Sequence, residues 1–262
     1  DHELRLIHCS ERAVQLMGWE HHASVEGRLL LELLNATDAR LNQALQRLQS
    51  GQESQNREEN AFVRRDGTEI HAEWFNSALT DATGRVTSIM TLVQDVSARV
   101  QMARQQYHRA NHDALTGLDN RASFHERLER SLARARPAAD LLALLFIDLD
   151  GFKRINDQQG HQAGDEVLRI VAQRLLRTVR EGDTVARLGG DEFLVMLDKD
   201  VTSLEPERIG QRIIEALSQP MIVDGQNLEI GASIGVAMHP PLPGQLEVLM
   251  NHADQAMYAA KR

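Results

Sequence analysis

Four carboxylates stand where two apolar runs stop. The run from Leu141 to Ile147 ends in Asp148-Leu149-Asp150, and Gly189-Gly190 leads directly into Asp191-Glu192. Acidic side chains at a strand end face solvent, and carboxylates held close together need a cation to offset their repulsion. Asp148 and Asp191, brought together from neighbouring strands, would hold Mg²⁺ or Mn²⁺ against a triphosphate, as hard cations are bound beside phosphates. The Gly151-Phe152-Lys153 turn opens a helix, whose first N–H groups suit a phosphate. The same residues also make an ordinary Asp-Gly turn with an Asp helix cap. That segment alone leaves both readings open. In the second element the glycines let the backbone take positive φ near a ligand, and a plain hairpin would need no acidic pair at its tip.

The elements that must position these groups follow from turn chemistry and periodicity. Val185 to Leu188 and Glu192 to Leu197 predict a hairpin with Gly189-Gly190 at its tip. A helix carrying Phe124, Leu128 and Leu132 on one face precedes the Leu141–Leu149 strand, and a helix from Ala163 to Val179 follows it. Glu207 to Leu217 reads as a helix, Met221 to Val223 and Leu228 to Met238 as strands, and Leu246 to Lys261 as a final helix. Strands alternating with helices around a mixed sheet give a palm-like fold in this half. Residues 1–97 form another unit, with helical pieces at Ser10 to Met17, Leu29 to Leu34 and Thr37 to Gln49. Strands follow at Ser54 to Arg64, Glu69 to Thr80 and Val86 to Asp95, separated by Arg65-Asp66-Gly67-Thr68 and Asp81-Ala82-Thr83-Gly84. The whole is an α+β chain. Between its halves, residues 98–112 read as a helical linker. Val96, Val100, Ala103, Tyr107, Ala110 and Ala114 recur at spacings of four and three, the seam of a short coiled coil. A helix packed on its own domain would give the same spacing.

Composition bounds the partners. The chain has 262 residues, room for two ordinary domains, and no apolar run reaches the ~20 residues a membrane span needs. A net charge of −9 argues against a dedicated binder of nucleic acid polymers, whose affinity rests on clustered Lys and Arg. The single cysteine, Cys9, excludes an internal disulfide framework and makes a reducing, cytoplasmic setting the expectation. Asp1 in place of Met, and a last helix ending at Arg262, suggest a fragment of a longer protein that carries a membrane anchor or further domain elsewhere.

With these residues in place, a resemblance becomes specific. Residues 113–262 resemble the GGDEF domain of diguanylate cyclases, through Gly189-Gly190-Asp191-Glu192-Phe193, DALTGLDNR at 113–121, FIDLDGFKRIND at 146–157, GHQAGDEVL at 160–168, ASIGVA at 232–237 and ADQAMYAAK at 253–261. The resemblance implies condensation of two GTP molecules into cyclic di-GMP by opposed domains of a homodimer. It makes Asp148, Asp191 and the main-chain carbonyl of Leu149 the metal ligands. Glu192 would assist the metal or take the proton of the attacking 3′-hydroxyl. Asn156 and Asp165 would read guanine, whose N1–H and 2-amino group a carboxylate accepts and adenine lacks. The backbone of Gly151, Phe152 and Lys153, with the Lys261 ammonium, would hold the triphosphate, and Arg187 would offset transition-state charge. Arg180 and Asp183, in Arg180-Glu181-Gly182-Asp183, stand where the family places an inhibitory product site, although such a pair is also common at helix ends. The family usually continues past the last helix with further basic residues, which this sequence does not supply.

The N-terminal half resembles a PAS sensor domain. RRDGTEIHAEWFNSAL followed by DATGRVTSIMTLVQDVSAR looks like its closing hairpin and strand, and SERAVQLMGWE with Gly27-Arg28 like its early helices. That implies a ligand or interaction module of unknown ligand. His2, His71 and Trp74 are candidates to touch one, packing being the commoner role of such residues, and His21-His22 reads as an exposed turn. The linker would then set whether two catalytic halves can meet. Two rivals follow: a GTP-binding regulatory domain serving a cyclic di-GMP phosphodiesterase domain elsewhere in the protein, and a scaffold that only dimerises.

Overall fold

The computed structural model describes residues 1, 3–21, 24–33, 39–134, 141–198, 201–239 and 246–261. The expectations for His2, His22 and the Leu34–Thr37 region therefore lie outside the described residues. The chain divides into units of 1–105 and 106–262, the division falling inside one helix, α4 (Ser97–Asn111).

The first unit contains helices α1 (Glu11–Leu16), α2 (Leu30–Leu33) and α3 (Ala39–Gln49), then strands β1 (Gln55–Val63), β2 (Glu69–Thr80) and β3 (Val86–Asp95). The strands form an antiparallel sheet in the order β1-β2-β3. Both turns are built as their composition requires: Asp66 and Asp81 carboxylates accept from the N–H groups of Thr68 and Thr83 at 2.9 and 2.8 Å. Alternate residues turn inward, so Phe62, Ile70, Ala72 and Trp74 meet Val14, Met17, Leu41 and Leu45 in one core. Several polar groups in that interior are paired with one another, while Asn60 Nδ2 and Trp19 Nε1 are buried with no hydrogen-bond partner among the described residues. Trp74 Nε1 donates to Asn60 Oδ1 at 2.7 Å, Asn76 Nδ2 to Asn56 Oδ1 at 3.0 Å, and Thr91 Oγ1 to Asn76 Oδ1 at 2.8 Å.

The second unit adds α5 (Arg121–Arg134), β4 (Leu142–Asp150), α6 (Phe152–Gln159), α7 (His161–Thr178), β5 (Thr184–Gly189), β6 (Glu192–Leu197), α8 (Glu205–Leu217), β7 (Met221–Val223), β8 (Gln226–Leu228), β9 (Gly231–His239) and α9 (Leu246–Ala260). Its main sheet runs β5-β6-β4-β9. The ladders are antiparallel, and the mixed character expected of the sheet comes from a parallel bridge between Asp119 and Ala186 at the β5 edge. Apolar residues on both faces make β4 the centre. Ala143, Leu145, Ile147 and Leu149 pack with α6, α7 and α8, while Leu142, Leu144 and Phe146 pack with α5 and α9. Close packing fixes α9: a Cβ on Gly235 would come within 2.0 Å of the Ala253 carbonyl oxygen, so only glycine at that point of β9 admits the helix.

Two expectations shift. The strand expected over Leu228 to Met238 is two elements, because β8 turns back on β7 through Asp224-Gly225, both at positive φ, before β9 joins the main sheet. The seam expected to reach Ala114 stops earlier, since α4 ends at Asn111 and Asp113 begins a turn closed by the Thr116 N–H on its carboxylate at 2.9 Å. Within α4 no residue is buried. Among the described residues, no helix is long and apolar enough to cross a membrane.

Candidate active site

The register of the central strands brings the acidic groups together. Asp148 of β4 lies opposite Glu192 of β6 and Ser233 of β9. Directly opposed residues share a face, so Asp148 and Glu192 stand on the α9 side of the sheet, one step past Phe146 and Leu194. The Leu149 N–H donates to the Asp191 carbonyl at 3.3 Å, which ties the end of β4 to the glycine loop. Helix α6 starts at Gly151 without a side-chain cap, and Asp150 Oδ1 instead accepts from Ser233 Oγ at 2.9 Å. The helix-cap reading of the Asp-Gly segment is thereby excluded.

The charges crowd. Burial pushes the Glu192 carboxyl above its ordinary range; Arg121 pulls it down, and Asp148, Asp191 and Asp254 push it further up. The Lys261 ammonium is raised, first by its hydrogen bond to Asp148, with Asp148, Asp150 and Asp191 adding to it against burial. Asp148 and Asp191 thus act on the same two side chains, which puts the two expected metal-binding carboxylates in one neighbourhood. Lys261 departs from the expectation that it faces a triphosphate: it donates to Asp148 Oδ1. Where acids converge, the nearest mobile cation neutralises them.

Among the described residues, no group of three or more His, Cys, Asp or Glu is arranged to hold a metal ion by itself. The expected set is smaller, two carboxylates with the main-chain oxygen of Leu149. These are all hard oxygen donors, and a cation already sits on one of them. They fit Mg²⁺ or Mn²⁺, which take their remaining positions from phosphate and water.

The proposed base readers lie on the other side of the sheet. Asn156 lies in the second turn of α6 and Asp165 in the second turn of α7, with Gly160 as the corner. A Cβ on Gly164 would come within 2.0 Å of Asn156 Oδ1, so glycine at this point lets the Asn156 side chain lie against α7 beside Asp165. Among the described residues, neither side chain is engaged in an internal hydrogen bond. Lys153 and Gly151 are exposed, whereas the Phe152 ring is buried in the core and leaves only its backbone for a ligand.

Arg187 is placed differently from the expectation. Its Nη1 meets both Asp113 carboxylate oxygens at 3.0 and 3.1 Å, and Nε and Nη2 donate to the Gly190 carbonyl at 3.0 and 2.8 Å. A guanidinium so committed braces the glycine loop against the turn after α4. Burial would raise the Asp113 carboxyl, but Thr116 and Arg187 together hold it below its ordinary range. Arg180 and Asp183 do come together, the Arg180 N–H donating to Asp183 Oδ2 at 3.0 Å, and the Arg180 guanidinium also binds Glu205.

Sequence reading assigned no role to Arg121, Asp254 or Asp113. Arg121, His125, Glu192 and Asp254 line a cavity of about 390 Å³ floored by Phe146 and Leu188. Arg121 and Asp113 lie within DALTGLDNR and Asp254 within ADQAMYAAK, so the signal was present as matched segments without assigned roles. In the first unit a cavity of about 500 Å³ is lined by Cys9, Met17, Leu30, Trp74 and Thr91. Trp74 reaches it while bonded to Asn60; His71 is not among its lining residues, and its main-chain N–H donates to Ser97 Oγ at 3.0 Å.

The diguanylate cyclase GGDEF domain matches residues 110–262, and the PAS fold matches residues 1–96. The chain belongs to the GGDEF family. Diguanylate cyclase TpbB of Pseudomonas aeruginosa is 46% identical over 156 residues, covering 59% of this chain and 36% of that protein. A probable diguanylate cyclase, DgcE of Escherichia coli, is 34% identical over 265 residues, covering 100% of this chain and 24% of that protein. The coiled coil and GGDEF domain of DgcB from Caulobacter crescentus, solved in complex with c-di-GMP, superposes with a TM-score of 0.57 at 31% identity, covering 64% of this chain and 88% of that one. This PAS–GGDEF chain spans about a quarter to a third of the length of the curated relatives it matches.

Proposed function

We propose that the GGDEF unit joins two GTP molecules into cyclic di-GMP with release of pyrophosphate. The observation that carries this reading is the crowding of Asp148, Asp191 and Glu192 at adjoining strand ends, with the Lys261 ammonium on Asp148 and with Asn156 and Asp165 unengaged across α6 and α7. In each half-reaction the 3′-oxygen of one GTP bonds to the α-phosphorus of the other. The bond from that phosphorus to its bridging oxygen breaks, and pyrophosphate leaves. A divalent cation on Asp148, Asp191 and the Leu149 carbonyl supplies charge neutralisation at the phosphates when bound. Glu192, made more basic by burial and its acidic neighbours, takes the 3′-hydroxyl proton. Asp165 accepts from guanine N1–H and the 2-amino group, and Asn156 supplies a further polar contact. With a divalent cation held by Asp148 and Asp191, Lys261 would be released from Asp148 to hold the triphosphate.

Each unit holds one GTP, so catalysis needs two units face to face in a homodimer. Helix α4 suits the pairing: Val100, Ala103, Tyr107 and Ala110 lie along it, none of its residues is buried, and Tyr107 is well exposed. The PAS unit controls that pairing through α4, and cyclic di-GMP bound at Arg180 and Asp183 inhibits. A cytoplasmic setting supplies the GTP. The test is turnover of GTP with Mg²⁺ at several protein concentrations. A rate per subunit that rises with concentration, with cyclic di-GMP as product, is expected. GTP binding without product at any concentration would instead favour the regulatory role toward a phosphodiesterase domain, and no GTP binding would favour the scaffold.

A further inference from the structure

The surface around Arg180 already contains an anion. Helix α7 ends at Thr178, and the chain turns through Arg180 to Asp183 before β5. Asp183 is only 4% exposed, and its Oδ2 accepts from the Arg180 N–H at 3.0 Å, so this carboxylate closes the turn and holds Arg180 in place. The guanidinium reaches Glu205, the first residue of α8, and pairs with Glu205 Oε1, while its Nε stays 3.9 Å from Asp183 Oδ2. The other Glu205 oxygen accepts from the Thr202 N–H at 3.3 Å, which anchors the carboxylate from its own side. Arg180, Glu205, Ile209 and Arg212 line a cavity of about 350 Å³. Arg212 spans it by donating from Nη2 to the Thr178 carbonyl at 2.9 Å.

A cyclic dinucleotide brings phosphodiester anions and guanine acceptor edges, both of which seek a guanidinium. Arg180 cannot present the same N–H group to such a ligand and to Glu205. We propose that Glu205 is an internal competitor for Arg180, a carboxylate that must be displaced before the product binds and that therefore sets the strength of product inhibition. This rests on the reading of Arg180 and Asp183 as a product site. The partly exposed pair contributes modestly, as such pairs do, so the effect is one of tuning. A second consequence has the same sign: an ionised Glu205 left beside a bound phosphodiester repels it. Burial pushes the Asp183 carboxyl up, and Asp198 and Glu205 add to that against Arg180, so the local field is already rich in negative charge.

The test is isothermal titration of the chain with cyclic di-GMP, comparing wild type, Glu205→Gln, Glu207→Gln and Arg180→Ala. Glu205→Gln keeps an oxygen for the Thr202 N–H and removes the charge. Tightening of about three- to tenfold in Glu205→Gln is expected, the scale of an exposed ion pair plus one removed repulsion, together with inhibition of turnover at correspondingly lower product concentration. Glu207→Gln, which removes the same charge two residues along α8 on an exposed residue, should leave affinity unchanged. Unchanged or weaker binding by Glu205→Gln, with Arg180→Ala losing affinity, would overturn the competitor while leaving the product site standing. Equal tightening by both glutamine variants would make the effect one of net charge and overturn it too. Equal binding by wild type and Arg180→Ala would remove the product site itself.

Discussion

The two units treat their polar residues in opposite ways. Inside the PAS unit, Asn60 accepts from Trp74, and Asn56, Asn76 and Thr91 hydrogen-bond one another across neighbouring strands. At the strand ends of the GGDEF unit, burial with Asp148, Asp191 and Asp254 pushes the Glu192 carboxyl up against the pull of Arg121, and the Lys261 ammonium is drawn onto Asp148. Paired buried polar groups specify a structure; crowded like charges store a demand that only a ligand meets. The difference teaches where to look for chemistry: in the residues whose interactions are incomplete within the chain.

That contrast can be broken by substitution. The largest effect belongs to guanine reading. Asp165→Ala should lower the preference for GTP over ATP by roughly 10²- to 10⁴-fold, because an acceptor that a bound base covers and leaves unpaired discriminates strongly; competition binding of the two nucleotides measures it, and its melting temperature should stay near wild type. In the PAS unit the effect should fall on stability instead. Asn60→Ala leaves Trp74 Nε1 buried without an acceptor and should cost about 2 kcal/mol in denaturant unfolding, with GTP affinity unchanged.

Arg187 tests a place where the contrast blurs, since it is a paired group beside the acidic cluster. Arg187→Ala should cost about 2 kcal/mol by freeing Asp113 and the Gly190 carbonyl, and should lower turnover through the loop it holds. The Asp113 carboxyl is held low in the fold, so the stability it contributes is present above its unfolded pKa and is lost as pH falls through its lower folded value. Unfolding followed down from pH 5 should show wild type converging on Asp113→Asn.

The smallest effect has the opposite sign. A carboxyl raised by folding destabilises the fold wherever it is ionised. Glu192→Gln should therefore stabilise the chain by a fraction of a kcal/mol, on the order of 0.5, above the folded pKa of Glu192. The gain should vanish below the ordinary carboxylate range, and turnover should be lost throughout.

Much of this arrangement was legible in the sequence, for local reasons. The Leu141–Leu149 run is too short for a helix of that burial and ends in acids, so a central strand with an acidic tip follows directly. The three PAS strands are separated by turns that each carry an Asp and a Gly and allow few other placements, and they fall within one residue of the expected limits. What stayed hidden depends on long-range partners. Asp148 and Lys261 meet across a separation of 113 residues, and Arg187 and Asp113 across 74. No spacing rule reaches that far, so neither pairing could be read from the sequence. The division of β8 from β9 was hidden for a related reason: the apolar pattern from Leu228 to Met238 says which residues turn inward and not which strand each segment pairs with.

The most direct test of the central claim is cyclic di-GMP formation from GTP and Mg²⁺ by the wild-type chain, Asp148→Asn and Asp191→Asn, each at a concentration where the wild-type rate per subunit has reached its plateau. The account predicts product from the wild type, a fall of at least about a hundredfold in either variant, and GTP binding retained through Asn156 and Asp165. Product formed at comparable rates by both variants would contradict it, because the two carboxylates would then not share the work at the phosphates.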